Sequence, residues 1–359
     1  HMQRNKISFK GQKIFIGIDV HARTWEVAVL TESGFVKRYS QVSSAKVLFD
    51  FLTKHFPDGE YHAVYESGFS GFSTYYALKE YNIDCVVTHA ADVPTTQYEE
   101  VMKTDRVDAL KLARSLRADE IRPIYIRKRE NIDDRSVVRV RKTIQKQLGG
   151  NRSRIKHMLH CNGVKMPEIF AKPNTHWSRA FIKWLKEDVA LLSPTRKSLD
   201  LLIMQVETQR SALLTATREL RNLALLDRYK DNYELLMSIP GVGTIVAMSV
   251  LTEIYDVTRF KNEKQFASYL GLIPTCHSSG DKEFHGEMTF RGNKQLGPMI
   301  IETCWVAISR DYGLGQAYIA YRRKVGPQKA IVKIARKMSN IIFSVLKNKR
   351  KYEPYNWEI

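Results

Sequence analysis

The spacing of apolar residues changes character once along this chain, near Pro123, and that change limits the folds open to it. Ahead of it lie short apolar runs of strand length, parted by turn residues and helical patterns. KIFIGIDV (13–20), WEVAVL (25–30) and FVKRY (35–39) follow one another, the last two separated by Glu32-Ser33-Gly34. Val47, Leu48, Phe51 and Leu52 then repeat at helical spacing. HAVYE (62–66) reads as a fourth strand and IDCVVTH (83–89) as a fifth, with a helix over about 72–80 between them, led in by Gly68 and Gly71. A further helix over about 105–117 carries Asp105, Asp108, Leu112 and Leu116.

The order β-β-β-α-β-α-β-α predicts an α/β domain of the ribonuclease-H type over residues 1–125. Beyond Pro123 the strand signals stop. Helical periodicity over about 131–161, 177–187 and 195–225 predicts a helical middle, 126–228, of long antiparallel helices or a coiled coil. A third region, 229–359, opens with LLMSIPGVGTIVAMSVLTEI (235–254), in which Pro-Gly-Val-Gly separates two helical halves. A loop-rich stretch is expected over 273–294 and basic helices after it, so this region is mostly α. His1 and Met2 read as an expression remnant and are set aside.

Charge narrows the function classes. The chain has 57 Lys and Arg against 38 Asp and Glu, a net charge of +19, which points to a polyanionic partner. No apolar run approaches the roughly 20 residues of a membrane span, so a soluble, cytoplasmic protein without a membrane partner is expected. Cys85, Cys161, Cys276 and Cys304 form no C-x-x-C pair, which argues against a zinc site or a disulfide framework.

Asp19 and Glu66 stand at or near the carboxyl ends of predicted strands, and Asp105 and Asp108, spaced i,i+3, share one helix face. Each has an ordinary structural use. Asp105 after Thr104 suits a helix N-terminus, and Asp108 can pair with Lys111. Together, four converging carboxylates would repel one another unless a cation intervened, and their hard oxygens suit Mg²⁺ or Mn²⁺. Two such ions about 3.5–4 Å apart can activate an attacking oxygen and stabilise a leaving one at a phosphodiester.

IGIDVHA (16–22), YESGFSG (65–71) and KTDRVDALKLA (103–113) resemble the N-terminal domain of the DEDD-type, serine-dependent insertion-sequence transposases, whose relatives include the Piv-type DNA invertases. IPGVGTIVAMSVLTEI (239–254), FASYLGLIP (266–274), SSG (278–280) and FRGNKQL (290–296) resemble that family's transposase domain. The resemblance spans nearly the whole chain and is weakest in the helical middle. It implies a RuvC-like nuclease domain in which Asp19, Glu66, Asp105 and Asp108 bind divalent metal, Mg²⁺ or Mn²⁺. It also implies a serine that attacks DNA and becomes a covalent phosphoserine. The motif match puts that serine at Ser279, before Gly280, with Ser278 standing where some relatives carry an acidic residue. A serine hydroxyl needs activation, and the resemblance implies that the metal-bearing carboxylates assemble with it across protomers. His277 and His285 are near in sequence, although a loop histidine is more often a bystander.

The nucleic-acid contacts expected from charge lie on the basic segment 127–156, with Arg135, Arg139, Arg141, Lys142, Lys146, Arg152 and Arg154 as candidates. Arg135, Arg139 and Lys142 fall on one helical face, as a phosphate stripe would. The turn containing Gly241 and Gly243 resembles a helix-hairpin-helix, which offers backbone N–H groups to phosphate; a turn that only packs two helices fits equally well. Arg291 and Lys294, close behind Ser279, are candidates to hold the scissile phosphate; solvated loop charges fit equally well. Family resemblance adds a guide: a bridge-type non-coding RNA from the element pairs with donor and target DNA. A dimer or tetramer is expected, because joining two duplexes needs several cleavages. The competing readings are a junction resolvase or nuclease using water on the same carboxylates, a Piv-like invertase without RNA, and a non-enzymatic nucleic-acid-binding protein.

Overall fold

The structure, a computed structural model, describes residues 8–97, 104–279, 282–288 and 292–354, with the backbone alone over 274–279 and 282–288. The chain divides into two compact units, 1–126 and 127–359.

The first unit is built on a five-stranded sheet. Strands β1 (Lys13–Val20), β2 (Thr24–Thr31) and β3 (Val36–Val42) form an antiparallel meander. β4 (Glu60–Glu66) pairs parallel with β1, and β5 (Asp84–Thr88) parallel with β4, giving the order β3-β2-β1-β4-β5. This mixed arrangement is compatible with the ribonuclease-H type expected from sequence. Period-2 alternation sorts the residues of β1. Ile14, Ile16 and Ile18 face a core shared with Val27, Val29, Leu48, Leu52 and Tyr65, covered by helix α1 (Ala45–His55) and flanked by α2 (Ser73–Glu80). Phe15, Gly17 and Asp19 alternate onto the opposite face. That face is covered by α3 (Asp105–Arg117), through Ala109 and Ala113 on Ala28 and Leu30, and Leu112 on Val64.

Gly17 sets how closely α3 lies. A Cβ there would stand 2.0 Å from the Ala109 carbonyl oxygen and 2.6 Å from the Ala113 nitrogen. Only glycine allows this approach, and the small Ala109 and Ala113 complete the contact.

The second unit begins with α4 (Arg129–Cys161), which runs antiparallel to α6 (Ser193–Ala224). Arg141 reaches Thr217 at one level, and Asn151 reaches Gln205 and Gln209 further along. Leu148, Ile155, Leu159, Leu199, Ile203 and Val206 fill the seam. Helix α5 (Arg179–Glu187) closes that end with Phe181, Trp184 and Leu185, the Phe170 ring lying edge-on to Phe181 and tilted against Trp184. At the other end, Val138, Leu220 and Ala224 belong to the core of the remaining helices: α7 (Asp227–Met237), α8 (Thr244–Ile254), α9 (Glu263–Tyr269), α10 (Leu296–Arg310), α11 (Tyr312–Val325) and α12 (Pro327–Asn348). The expected division between residues 228 and 229 falls inside α7, one of the helices that share this core.

One expectation needs correcting. The stretch 273–294 is not loop throughout, because β6 (Pro274–Ser279) and β7 (Lys282–Met288) pair antiparallel within it. These strands lack apolar alternation, which hid them, although the intervening Gly280-Asp281 dipeptide is a two-residue hairpin signal. Cys85, Cys161 and Cys304 are free, and burial pushes the Cys85 and Cys304 thiols up to about 12.

Candidate functional site

Asp19 and Glu66 come together because β1 and β4 are parallel neighbours. Ile18 is in register with Tyr65, so the next residues, Asp19 and Glu66, sit side by side on the face that α3 covers. The helix begins with its N-cap Thr104, whose hydroxyl accepts a 3.4 Å hydrogen bond from the Val107 N–H. Asp105 and Asp108 lie in its first turn, one face above Leu112, and are delivered over the strand ends. Helix capping and the carboxylate cluster are thus compatible uses of one segment.

Two further side chains lie within the cluster: His21, which the sequence pattern did not place there, and Lys111, which it paired with Asp108 alone. His21 Nε2 is 3.2 Å from Asp19 Oδ2 and 3.1 Å from Asp105 Oδ2. Lys111 Nζ is 3.1 Å from Asp108 Oδ1 and 3.7 Å from Glu66 Oε1, and the lysine is nearly buried. Burial raises the Asp19 carboxyl above its ordinary range. His21 pulls it back, and Asp105, Asp108 and Glu66 push it up further. Asp19 therefore feels the other three carboxylates, as a cation site requires. Donor atoms of Asp19, His21 and Asp105 all lie within 4.8 Å of one another, a set that fits a divalent ion. The histidine's signal in sequence was its position two residues after Asp19 at a strand end.

In the second unit, Ser279 is the last residue of β6, in register with Lys282, and Ser278 is opposite Glu283. His277 and His285 are strand residues rather than loop residues. Arg291 and Gly280 lie outside the described residues. Lys294 is exposed and follows Asn293, whose amide donates to Glu253 Oε2 at 3.2 Å and to Tyr269 Oη at 3.3 Å. Asn293 Oδ1 accepts from the backbone N–H groups of Gln295 and Leu296, and so anchors the segment between β7 and α10.

Glu253, on α8, is fully buried. Arg135 Nη2 donates to it at 2.8 Å and Arg139 Nε at 3.0 Å, while Arg127 Nη2 and Tyr269 Oη donate to its backbone oxygen. Burial alone would raise its carboxyl, but the hydrogen bonds and charges of Arg135 and Arg139 outweigh burial and hold it below the ordinary range. This corrects the phosphate-stripe expectation. The face of α4 carrying Arg135 and Arg139 packs on α8, so the Arg135 guanidinium is committed to Glu253, while Arg139 pairs with it and stays 43% exposed. Arg141 is also buried, donating to Thr217 Oγ1 at 2.9 Å and Gln145 Oε1 at 3.2 Å. Lys142 is half-buried, Lys146 and Arg154 are exposed, and Arg152 lies 5.2 Å from the Trp177 ring centre. Gly241 has a φ of +85°, and a Cβ on it would stand 2.7 Å from the Thr303 carbonyl oxygen of α10. Its need for glycine is met inside the protein. Gly243 is exposed, with nothing within 4 Å of a Cβ built on it.

Two family models match the chain, and the first runs past the boundary between the units to the end of α4. A transposase model of the DEDD type of IS110 elements matches residues 16–161, spanning all four carboxylates. The model described as Transposase IS116/IS110/IS902 family matches residues 233–320, spanning the hairpin and Ser279. The chain belongs to the IS110 family of transposases. The transposase for insertion sequence element IS1533 of Leptospira borgpetersenii is 26% identical over 260 residues, covering 70% of this chain and 72% of that protein. A pilin gene-inverting protein of Moraxella bovis is likewise 26% identical over 260 residues, covering 70% of this chain and 68% of its own length. The putative transposase y4qE of Sinorhizobium fredii is 25% identical over 304 residues, covering 82% and 72%. As an IS110-family member, this chain is an enzyme of DNA transposition or recombination. The DEDD family uses divalent metal, and the acidic cluster of this chain fits that use. Among the described residues, no helix is long and apolar enough to cross a membrane.

Proposed function

We propose that this IS110-family chain cuts and rejoins donor and target DNA through a phosphoserine on Ser279, in a dimer or tetramer. The observation that carries this reading is the convergence of Asp19, Glu66, Asp105 and Asp108 in a chain that matches both family domains. The first unit is read as a RuvC-like metal domain, the antiparallel pair α4 and α6 as an arm for nucleic acid or dimerisation, and the rest as the serine-bearing domain. The Gly241 turn is kept as a helix-hairpin-helix-like element in shape.

Asp19, Glu66, Asp105 and Asp108 would hold the ion, Mg²⁺ or Mn²⁺, with His21 at its edge. When bound, the ion supplies Lewis-acid stabilisation of charge at the phosphate. The chain's own part is nucleophilic. Ser279 Oγ attacks phosphorus, an Oγ–P bond forms, and the P–O bond to the leaving strand breaks, that strand's oxygen taking the electron pair and a proton. The phosphodiester energy is kept in the serine ester, so the reverse attack by a new strand's hydroxyl rejoins DNA without ATP. Lys142, Lys146, Arg152, Arg154, Arg291 and Lys294 are the backbone contacts of this reading, with Arg139 through its exposed part. An element-encoded RNA that pairs with both DNAs would choose the sites.

The test is strand transfer by the unmutated chain and by Ser279→Ala with Mg²⁺. Loss of both transfer and the covalent protein–DNA species supports the serine. Cleavage that survives Ser279→Ala means that water attacks and a resolvase-like activity is correct. The match to the pilin gene-inverting protein favours one second reading, inversion without a guide. Sequencing the RNA that co-purifies with the chain, expressed with its native flanking DNA, separates the two. A discrete flank-derived RNA supports guidance, and only heterogeneous host RNA supports direct reading of DNA.

A further inference from the structure

A cavity of about 490 Å³ opens between α4, α6, α8 and α10, in the size range of small-ligand pockets. Its walls are of two kinds. Val138, Leu220, Ile245 and Met299 make an apolar cleft, and Arg141, Lys142 and Lys146 line one side. A single carboxylate, Glu302, faces those three cations. Ser249 also lines the cavity. It is 2% exposed, and its hydroxyl finds no hydrogen-bond partner among the described residues. A buried hydroxyl left in that state is costly unless a ligand completes it.

We propose that this cavity binds one unstacked nucleotide of the nucleic acid, with the base in the apolar cleft and its phosphate on Lys142 and Lys146. The chemistry matches part by part. A base is flat and largely apolar on its faces, so aliphatic walls can clamp it once it leaves the stack. Its edge carries the groups that Ser249 lacks as partners. Glu302 can only accept hydrogen bonds when ionised, so it favours a base with an exocyclic amine. Burial lowers the pKa of both Arg141 and Lys142; at Lys142 the Glu253 carboxylate raises it again while Arg139 and Lys146 lower it, so Lys142 stands beside two like charges that an arriving phosphate would offset. The hydrogen bonds from Arg141 to Thr217 and Gln145 fix the cationic wall in place before any ligand arrives. The cavity also borders the segment that leads from the serine hairpin, because Gln295 lines it. A nucleotide drawn out here would register the strand relative to that hairpin.

The proposal rests on this family's handling of nucleic acid and not on Ser279 as nucleophile. Titration of the full-length chain without metal reads binding alone, so a failed serine test leaves its outcome untouched. The probes are dAMP, dCMP, dTMP, AMP, deoxyadenosine and inorganic phosphate, followed by calorimetry. The expected result is that dAMP and dCMP bind better than dTMP, and that deoxyadenosine and phosphate alone are each about tenfold weaker. The doubly substituted Lys142→Ala, Lys146→Ala chain should lose about tenfold for dAMP and keep deoxyadenosine binding. Ser249→Leu, which fills the cleft, should abolish both, and the double lysine variant decides the matter if that protein does not fold. The dAMP and AMP arms distinguish a DNA strand from an RNA strand as the source. Phosphate binding as tightly as dAMP would reduce the site to an anion patch and overturn the proposal. So would affinities that neither variant changes.

Discussion

Lys111 Nζ stands 3.1 Å from Asp108 Oδ1, one turn along the same helix, and this places an internal ammonium among the carboxylates proposed to hold metal. The same atom is 3.7 Å from Glu66 Oε1. A divalent ion entering beside it meets a like charge in partly dry surroundings, where repulsion is strong. Lys111→Met should therefore tighten Mn²⁺ binding by about tenfold, read by calorimetry on the full chain. Weaker binding would instead mean that the lysine's role is to orient Glu66 and Asp108.

His21 bridges Asp19 and Asp105, and its imidazole suits Mn²⁺ better than Mg²⁺. We expect His21→Ala to weaken Mn²⁺ affinity more than Mg²⁺ affinity. Equal losses for the two ions would show that the histidine only holds the aspartates.

Gly17 touches no candidate ligand, yet it controls where two of them stand. In Gly17→Ala the new methyl would meet the backbone of α3 at Ala109 and Ala113, forcing the helix off the sheet. The expected cost is about 2–3 kcal/mol of stability. Metal affinity should fall with it, since Asp105 and Asp108 move with the helix. A variant that unfolds at the same denaturant midpoint as the parent would refute this packing argument.

Glu253 gives a pH prediction with a definite sign. Its folded carboxyl lies below the ordinary range because Arg135 and Arg139 outweigh the effect of burial. A depressed folded pKa contributes stability that is present above the unfolded value, roughly 4.3. That contribution is lost as pH falls through the folded value. Glu253→Gln should cost about 3 kcal/mol at neutral pH, and the gap from the parent should close in acid. Denaturation curves from neutral pH downward test this; a constant gap would mean that the pair does not titrate with folding.

Much of the first unit was legible from local pattern. The runs around Ile14 to Ile18, Val27 to Leu30 and Ala63 to Tyr65 alternate with turn and helix signals, and these became β1, β2 and β4. The long helices α4 and α6 were likewise written in their periodicity. The hairpin carrying Ser279 was not, because TCHSS and KEFHGEM carry no apolar alternation. The cluster's carboxylates were found through motif order and the Asp108–Lys111 pair through its spacing, whereas His21, and the reach of Lys111 to Glu66, came only from proximity.

Sequence determined which residues were available: four acidic groups at strand ends and one helix turn, a net positive charge, and a basic segment over 127–156. Tertiary structure decided how those charges are spent. Helical spacing gave Arg135 and Arg139 one common face, but a shared face does not say whether water or another helix lies against it. Packing put α8 there, with Glu253 at its centre, and turned Arg135, and Arg139 in part, from apparent phosphate contacts into partners of a buried carboxylate. The same long-range packing brought Val138 and Lys142 opposite Ser249 and Met299, making a cavity from residues distant in the chain. Periodicity is local and fixes a face, while the partner of that face is chosen by contacts across the whole unit.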